Sequence, residues 1–97
     1  MFIVLLKFST SKAAAPEFMA AHNEWIAQGF VDGVFQCVGS LVPAAGGALL
    51  AIGESRDKLE ARVNADPFVQ NDVVVAEITE VDVKKTAPAL DILKGNE

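Results

Sequence analysis

An α+β fold of the order β-α-β-β-α-β is predicted for this chain, with a four-stranded antiparallel sheet and two helices on one face. Two observations predict it. Four short segments are rich in apolar and β-branched residues, as strands are, and two segments between them combine helical spacing with helix start signals. Crossover handedness places both helices on the same face of the sheet. The predicted subunit is therefore a ferredoxin-like domain.

The first predicted strand, Phe2 to Phe8, is apolar on both faces except at Lys7. The third, Ala48 to Gly53, has the same pattern. A strand with two apolar faces is expected to be covered on both, whereas two helices cover only one face of the sheet. The uncovered face would be about the largest apolar patch that a soluble monomer exposes. We therefore expect a homodimer packed through the open sheet face, with a barrel-like core.

The first helix is predicted from Pro16 to Gln28, with Gly29 as the residue that follows its end. On a helix, Phe18, His22, Trp25 and Gly29 share one face. His22 is the only histidine in 97 residues. The one side chain that changes its charge near neutral pH therefore lies in the middle of an apolar stripe.

A hairpin follows this helix. A strand from Val34 to Val42 is predicted to turn at 43–47 into the return strand, Ala48 to Gly53. Gly39 interrupts the first of these strands. It predicts a bulge, or the close approach of another group to the backbone.

Two helix starts come next. Ser55 is a suitable N-cap for a second helix from about Arg56 to Ala65. Asp66 is another N-cap, because proline follows it at the first helical position. It predicts a short turn of helix to about Asn71.

The last predicted strand runs from Asp72 to Lys84 and contains several valines. The tail from Thr86 to Glu97 is assigned no fixed structure, although Pro88 and Gly95 could bracket a helical turn or two. We expect one domain over residues 1–97, without linkers or internal repeats.

Composition excludes several classes of partner. The net charge is −5 and the eight basic residues are dispersed, so neither nucleic acid nor an anionic membrane surface is an expected partner. No apolar run approaches the length of a membrane span, and the apolar N-terminus fits a buried strand better than a signal peptide. A single cysteine, Cys37, excludes an internal disulfide and suits a reducing compartment. The expected location is the cytoplasm.

No metal or cofactor is expected. One histidine and one cysteine cannot supply three nitrogen or sulfur ligands, and the carboxylates show no ligand spacing. Haem could use His22 alone, but no other feature indicates it. The Gly46-Gly47 pair has no lysine or helix start behind it, so it indicates a hairpin turn and not a phosphate loop.

Five short motifs carry a family resemblance. They are AAHNEW around His22, Gly39-Ser40 in the second strand, the Gly46-Gly47 turn, Ser55 before the second helix, and Ala65-Asp66-Pro67-Phe68. In their order and spacing they resemble the YciI-like (YCII-related) proteins of the dimeric α+β barrel superfamily. The resemblance covers roughly residues 2–84 and leaves 85–97 as a C-terminal tail.

The resemblance implies a ferredoxin-like subunit, a dimer and an active-site pair. The helix-1 histidine of the family matches His22, and the aspartate of its D-P-[FY] motif matches Asp66. Ser40 matches the small or hydroxyl residue after the strand-2 glycine. Most members have no assigned reaction, although relatives include a dehydrochlorinase of chlorinated hydroxyquinols. The superfamily also contains muconolactone isomerases and small monooxygenases.

Each candidate residue has a structural alternative. His22 is a general acid/base or a hydrogen-bonded core histidine, and Asp66 is its partner or only an N-cap; the two roles of Asp66 are compatible. Ser40 is a substrate-binding hydroxyl or a strand-end residue, and it lacks the surroundings of a nucleophile elbow. Trp25 and Phe68 are candidates for contact with substrate, although core packing is the usual role of an aromatic residue such as Trp25.

These residues favour a small enzyme. It would act on a small, cyclic or aromatic polar metabolite by proton transfer, as in isomerisation or elimination, without a cofactor. The alternative is a non-catalytic ligand-binding or dimerisation module in which His22 and Asp66 are a structural pair. A third hypothesis is a monooxygenase of the same superfamily, haem-dependent or flavin-free.

Overall fold

A computed structural model describes residues 1–94 of the chain, and it confirms the predicted order of elements. The strands and helices are β1 (Phe2–Phe8), α1 (Ala15–Val31), β2 (Phe35–Leu41), β3 (Gly46–Ala51), α2 (Arg56–Asn64), α3 (Pro67–Gln70) and β4 (Val74–Glu80). The four strands form one antiparallel sheet in the order β2-β3-β1-β4. No helix within residues 1–94 is long and apolar enough to cross a lipid bilayer.

The core lies between the helices and one face of the sheet. Val4 of the central strand β1 is fully buried and lies opposite Leu49 of β3 and Ile78 of β4. From the other side, α2 contributes Leu59 and Val63, which are also buried. The alternation of side chains along β1 thus places one apolar set in this core.

The second apolar set of the strands lies on the opposite face of the sheet. Ile3 lies opposite Leu50, and both of these side chains keep part of their surface exposed, as does Leu5. Lys7 on this face forms an ion pair with Glu77 at 2.9 Å. Strand β1 is therefore apolar on both faces, as predicted, and one face has no cover from the helices.

Helix α1 is longer than predicted, and the expected role of Gly29 is wrong. Gly29 is a buried residue inside the helix, which ends at Val31; Asp32 is its C-cap, and Gly33 follows in the left-handed conformation at φ +73°. The phenyl ring of Phe35 packs directly on Gly29, where a Cβ atom would overlap the ring. Gly29 is therefore required for helix–strand packing. The role expected of Gly29, reversing the chain after the helix, belongs to Gly33.

A Gly29→Ala variant tests this packing. Overlap with the ring destabilises by about 1–3 kcal/mol, whereas the better helix propensity of alanine restores at most about 1 kcal/mol. We expect urea denaturation to show a lower free energy of unfolding. Adding Phe35→Leu should make the double variant less destabilised than the sum of the two single variants. Purely additive effects would contradict the overlap.

The bulge in β2 lies at its start, not at Gly39. The register shifts between Phe35 and Cys37, whereas Gly39 pairs regularly with Ala48. The extra residue switches the alternation of the strand, so that Phe35 and Ser40 face the same side of the sheet. Ser40 is thereby turned towards the helices.

The capping signals are confirmed. The Ser55 hydroxyl accepts a hydrogen bond from the Lys58 N–H at 3.3 Å and begins α2. The Asp66 carboxylate accepts one from the Phe68 N–H at 3.0 Å and begins α3. Both helices thus start where an oxygen-bearing side chain satisfies a free backbone donor.

Strand β4 is shorter than predicted. Its last pair joins Glu80 to Phe2, and the Val81 N–H then donates to the Met1 carbonyl at 2.8 Å. Residues 82–84 pair with no strand in the described part of the chain, because β1 does not extend beside them. The expected helical turns form as a 3₁₀ helix over Pro88–Lys94, and the proposed end at Gly95 lies outside the described residues.

Candidate active site

A cavity of about 390 Å³ lies between α1 and the end of the sheet formed by β1, β2 and β3. This volume falls in the range of small-molecule sites. Its walls are mostly apolar, with three polar side chains. The side chains that line it are Leu6, Phe8, Met19, His22, Asn23, Ile26, Val38, Ser40, Ala48, Leu49, Phe68 and Val74, together with the backbone of Gly39, Gly46 and Gly47.

His22 and Asp66 are 44 positions apart in the sequence and meet at the wall of this cavity. The His22 Nδ1 atom donates to Asp66 Oδ1 at 2.7 Å. His22 is 9% exposed and Asp66 is fully buried, so Asp66 lies behind the histidine as seen from the cavity. The imidazole is therefore held through one nitrogen by a carboxylate that solvent does not reach.

Asp66 caps α3 and contacts His22 at the same time. Its Oδ1 atom accepts from the Phe68 N–H as the cap of α3 and from His22 at the same time. Its Oδ2 atom is buried and has no hydrogen-bond partner within residues 1–94. The cap fixes the carboxylate on the backbone of α3, and the carboxylate in turn fixes His22.

Phe68 holds the histidine from its face. The rings of Phe68 and His22 are parallel within 5°, with centroids 3.8 Å apart. Trp25 lies farther from the imidazole, at 5.9 Å and 23°. Stacking sets the plane of the ring and the Asp66 contact sets its rotation, so the orientation of His22 is defined in both respects.

The remaining imidazole nitrogen, Nε2, is the atom available for chemistry. It has no hydrogen-bond partner within the described chain, and His22 lines the cavity. A carboxylate on Nδ1 selects the ring tautomer and leaves Nε2 to exchange a proton with a bound molecule. The arrangement can therefore act as a general acid/base.

Ser40 and Asn23 are the other polar side chains at the cavity. Ser40 reaches it because the β2 bulge turns this residue towards the helices. Asn23 was missed by sequence reasoning, which followed the core stripe of α1. A second stripe, Met19, Asn23 and Ile26, also has helical spacing and lines the cavity. His22 is three residues from Met19 and four from Ile26, so it borders this second stripe as well.

Trp25 does not line this cavity. Its indole N–H donates to the Arg62 carbonyl at 2.9 Å, and its ring packs edge-on against Phe35. Trp25 therefore joins α1 to α2.

The Arg62 side chain bridges Glu54 at 2.7 Å and Asp32 at 3.0 Å. The hydrogen bond to Glu54 raises the pKa of the Arg62 guanidinium.

The Arg62 bridge also affects Asp32 at the end of α1. Hydrogen bonds from Gln28, at 2.8 Å, and from Arg62 lower the pKa of the Asp32 carboxyl. Both acidic partners of Arg62 lie outside the walls of the cavity. The bridge is thus separate from the candidate site.

The structure brings four of the five predicted site residues together: His22, Ser40 and Phe68 line the cavity, and Asp66 contacts His22 from behind. No group of three or more metal-ligating side chains occurs within residues 1–94. Cys37 is exposed on β2 and its strand position faces the open side of the sheet. Among the described residues that line the cavity, His22 is the one with an imidazole nitrogen, Nε2, that could hold a cofactor.

Comparison with known proteins identifies the family and the fold. A family model described as YCII-related domain matches residues 1–84. No curated protein sequence matches the chain. A similar solved structure is 5-chloro-2-hydroxyhydroquinone dehydrochlorinase from Burkholderia phenoliruptrix, in complex with 2,5-dihydroxybenzoquinone. It has a TM-score of 0.68 and 17% identity, over 84% of this chain and 93% of that chain.

Proposed function

The chain belongs to the YCII-related domain family, and from that premise we propose that it is a small enzyme that moves protons on a cyclic or aromatic metabolite. His22 is the general acid/base, and Asp66 orients it. The observation that carries this proposal is the 2.7 Å contact between the two side chains at the wall of a cavity. A catalytic base needs defined geometry first, and the capped carboxylate and the stacked ring supply it.

The lining of the cavity supports an uncharged or weakly acidic ring as substrate. No lysine, arginine, aspartate or glutamate is among the lining residues of the described chain, so no permanently charged side chain there pairs with a carboxylate or phosphate. Apolar walls suit a ring, and the side chains of His22, Asn23 and Ser40 suit hydroxyl or carbonyl substituents. The structurally similar dehydrochlorinase is named for a chlorinated hydroxylated ring, which agrees with this class of substrate.

The reaction that fits is an isomerisation or an elimination without a cofactor. In an elimination, His22 Nε2 would accept a proton from a ring hydroxyl or ring carbon while a halide leaves with its electron pair. In an isomerisation, the same nitrogen would return the proton to another atom of the ring. Both require one titratable group in contact with the substrate.

The test is turnover of hydroxylated rings, with and without a chlorine substituent. Solvent deuterium entering a ring C–H position, followed by proton NMR in D₂O, reports exchange, and an ion-selective electrode reports chloride release. We expect exchange or release above the buffer rate. A protein that binds these rings at its cavity and never exchanges a proton with them would contradict the proposal.

The alternative is a binding module without catalysis, which the low exposure of His22 favours. With 9% of its surface accessible, the histidine could serve mainly to hold α3 against α1. Binding without turnover, together with a large loss of stability when either member of the pair is replaced, would support this alternative.

We also propose a homodimer through the open sheet face. Ile3, Leu5 and Leu50 lie there with part of their surface exposed, and a second copy of the same face would bury them. Sedimentation at micromolar concentration should show a dimer.

A Leu5→Lys/Leu50→Lys variant should dissociate this dimer. Burying unpaired ammonium groups in an apolar interface should raise the dissociation constant at least about 100-fold. Val31→Lys is the matched control, because Val31 is 80% exposed at the end of α1. A monomeric wild-type protein, or a dimer that withstands both lysines, would refute the arrangement.

The cellular location stays a prediction. Its support is Cys37, a free and exposed thiol of the kind that persists in reducing compartments. We therefore propose a cytoplasmic location, which fractionation of cells that produce the protein at its native level would test.

A further inference from the structure

Two adjacent glycines begin β3, and only the first is required by the fold. Gly46 has φ +132°, and a Cβ atom there would overlap the carbonyl oxygen of Leu6. Gly47 has no such constraint. Its φ is not positive, and a Cβ atom would have one neighbour within 4 Å, the Gly39 carbonyl oxygen at 3.4 Å, which is ordinary van der Waals contact.

The position of Gly47 explains what its missing side chain does. In the sheet it lies between Leu6 of β1 and Ser40 of β2, which are its direct neighbours across the two strand pairs. Residues opposite each other in a sheet point to the same face, so Gly47 faces the helices as Leu6 and Ser40 do. Gly47 also lines the same cavity as His22.

Gly47 therefore leaves a bare stretch of backbone on the sheet side of the cavity. Every larger residue would place atoms in this space, because a side chain here would point into the cavity and meet almost nothing else. Glycine in a strand interior weakens the strand and often marks a site where a ligand approaches the backbone closely. At position 47 the backbone conformation and the neighbouring atoms would permit a side chain, yet the sequence has glycine there.

We propose that Gly47 is the specificity-determining residue of this site: it forms a flat floor on which a planar ring lies parallel to the sheet. This inference rests on the proposed function, because it names the ligand class of the same cavity. The ring lies on the Gly47 backbone beside the Ser40 hydroxyl, and α1 covers it with His22 and Asn23. A saturated ring of the same size is puckered and thicker, so it fits this floor less well.

The test is binding measured at the only histidine of the chain. The imidazole ¹⁵N and ring ¹H resonances of His22 are assigned without ambiguity, and titration of the probe shifts them. The planar probe is 1,4-dihydroxybenzene, and the saturated probe is trans-1,4-cyclohexanediol. Gly47→Ala and Gly47→Val raise the floor in two steps, and valine is well tolerated in a strand.

Gly39→Ala is the matched control. Gly39 lies on the same hairpin and borders the same cavity, but an added Cβ atom there would meet nothing within 4 Å and would point to the open face of the sheet. We expect wild-type protein to bind the planar probe more tightly than the saturated probe. Gly47→Val should weaken planar binding at least about tenfold, with Gly47→Ala between, and Gly39→Ala should match wild type.

Three outcomes would overturn the inference: no binding of the planar probe to wild type at millimolar concentration, equal binding of the two probes, or unchanged binding in Gly47→Val. The resonances of His22 in the unliganded variants show that the fold is kept. Failure here and failure of the proposed function are distinguishable. If binding depends on Gly47 but no proton is exchanged, this inference holds and the proposed function fails. If turnover depends on His22 but binding is unchanged by substitution of Gly47, only this inference fails.

Discussion

A His22→Asn variant is expected to lose about 10²- to 10⁴-fold in kcat, the usual contribution of a general acid/base. The amide nitrogen of asparagine takes the place of the imidazole Nδ1 atom and can still donate to Asp66 Oδ1. What disappears is the Nε2 atom and every titratable proton at the wall of the cavity. The substitution therefore separates the structural contact of His22 from its chemistry.

The control for the effect of His22→Asn on kcat is the variant Ser40→Ala. Ser40 lines the same cavity on the opposite wall, and its hydroxyl can bind substrate without exchanging the catalytic proton. Its loss should raise KM and change kcat less than His22→Asn does. Equal kcat in wild type and His22→Asn, at matched thermal stability, would show that the histidine has no catalytic role.

Local sequence signals predicted most of the elements because each had its own physical cause. The proline after Asp66 and the hydroxyl of Ser55 marked two helix starts, and both side chains accept the hydrogen bonds that capping requires. The apolar residues on both faces of β1 predicted a strand that is covered on both faces, with the helices on one of them. These features depend on residues close together in the chain.

What failed depends on contacts between distant residues. Gly29 looks like a helix end from its neighbours, and only the ring of Phe35 explains why it lies inside α1. The bulge after Phe35 is equally invisible in composition, yet it decides that Ser40 faces the cavity. The contact of His22 with Asp66 was reached through the family resemblance and the shared side of the sheet, because nothing local joins residues 44 positions apart.

Replacing Asp66 with alanine should lower the free energy of unfolding by about 2–4 kcal/mol. The loss of an N-cap contributes about 1 kcal/mol, and an imidazole N–H left without a partner in a buried position contributes about 1–3 kcal/mol. Both contributions fall on one residue because Oδ1 accepts from the Phe68 N–H and from His22 together. Urea denaturation followed by circular dichroism measures the change, and a constant slope against urea shows that the transition itself is unaltered.

Two further variants separate the capping contribution from the contribution of the His22 contact to the loss of stability in Asp66→Ala. Ser55→Ala removes an N-cap on α2 that has no link to the cavity, so its loss of about 1 kcal/mol estimates the capping share alone. Asp66→Asn keeps an amide oxygen that can cap α3, so it should be destabilised less than Asp66→Ala. If Asp66→Ala cost no more than Ser55→Ala, the contact with His22 would contribute nothing to the folded state. Asp66 would then stabilise the fold only as the cap of α3, and its contact with His22 should appear in kcat alone.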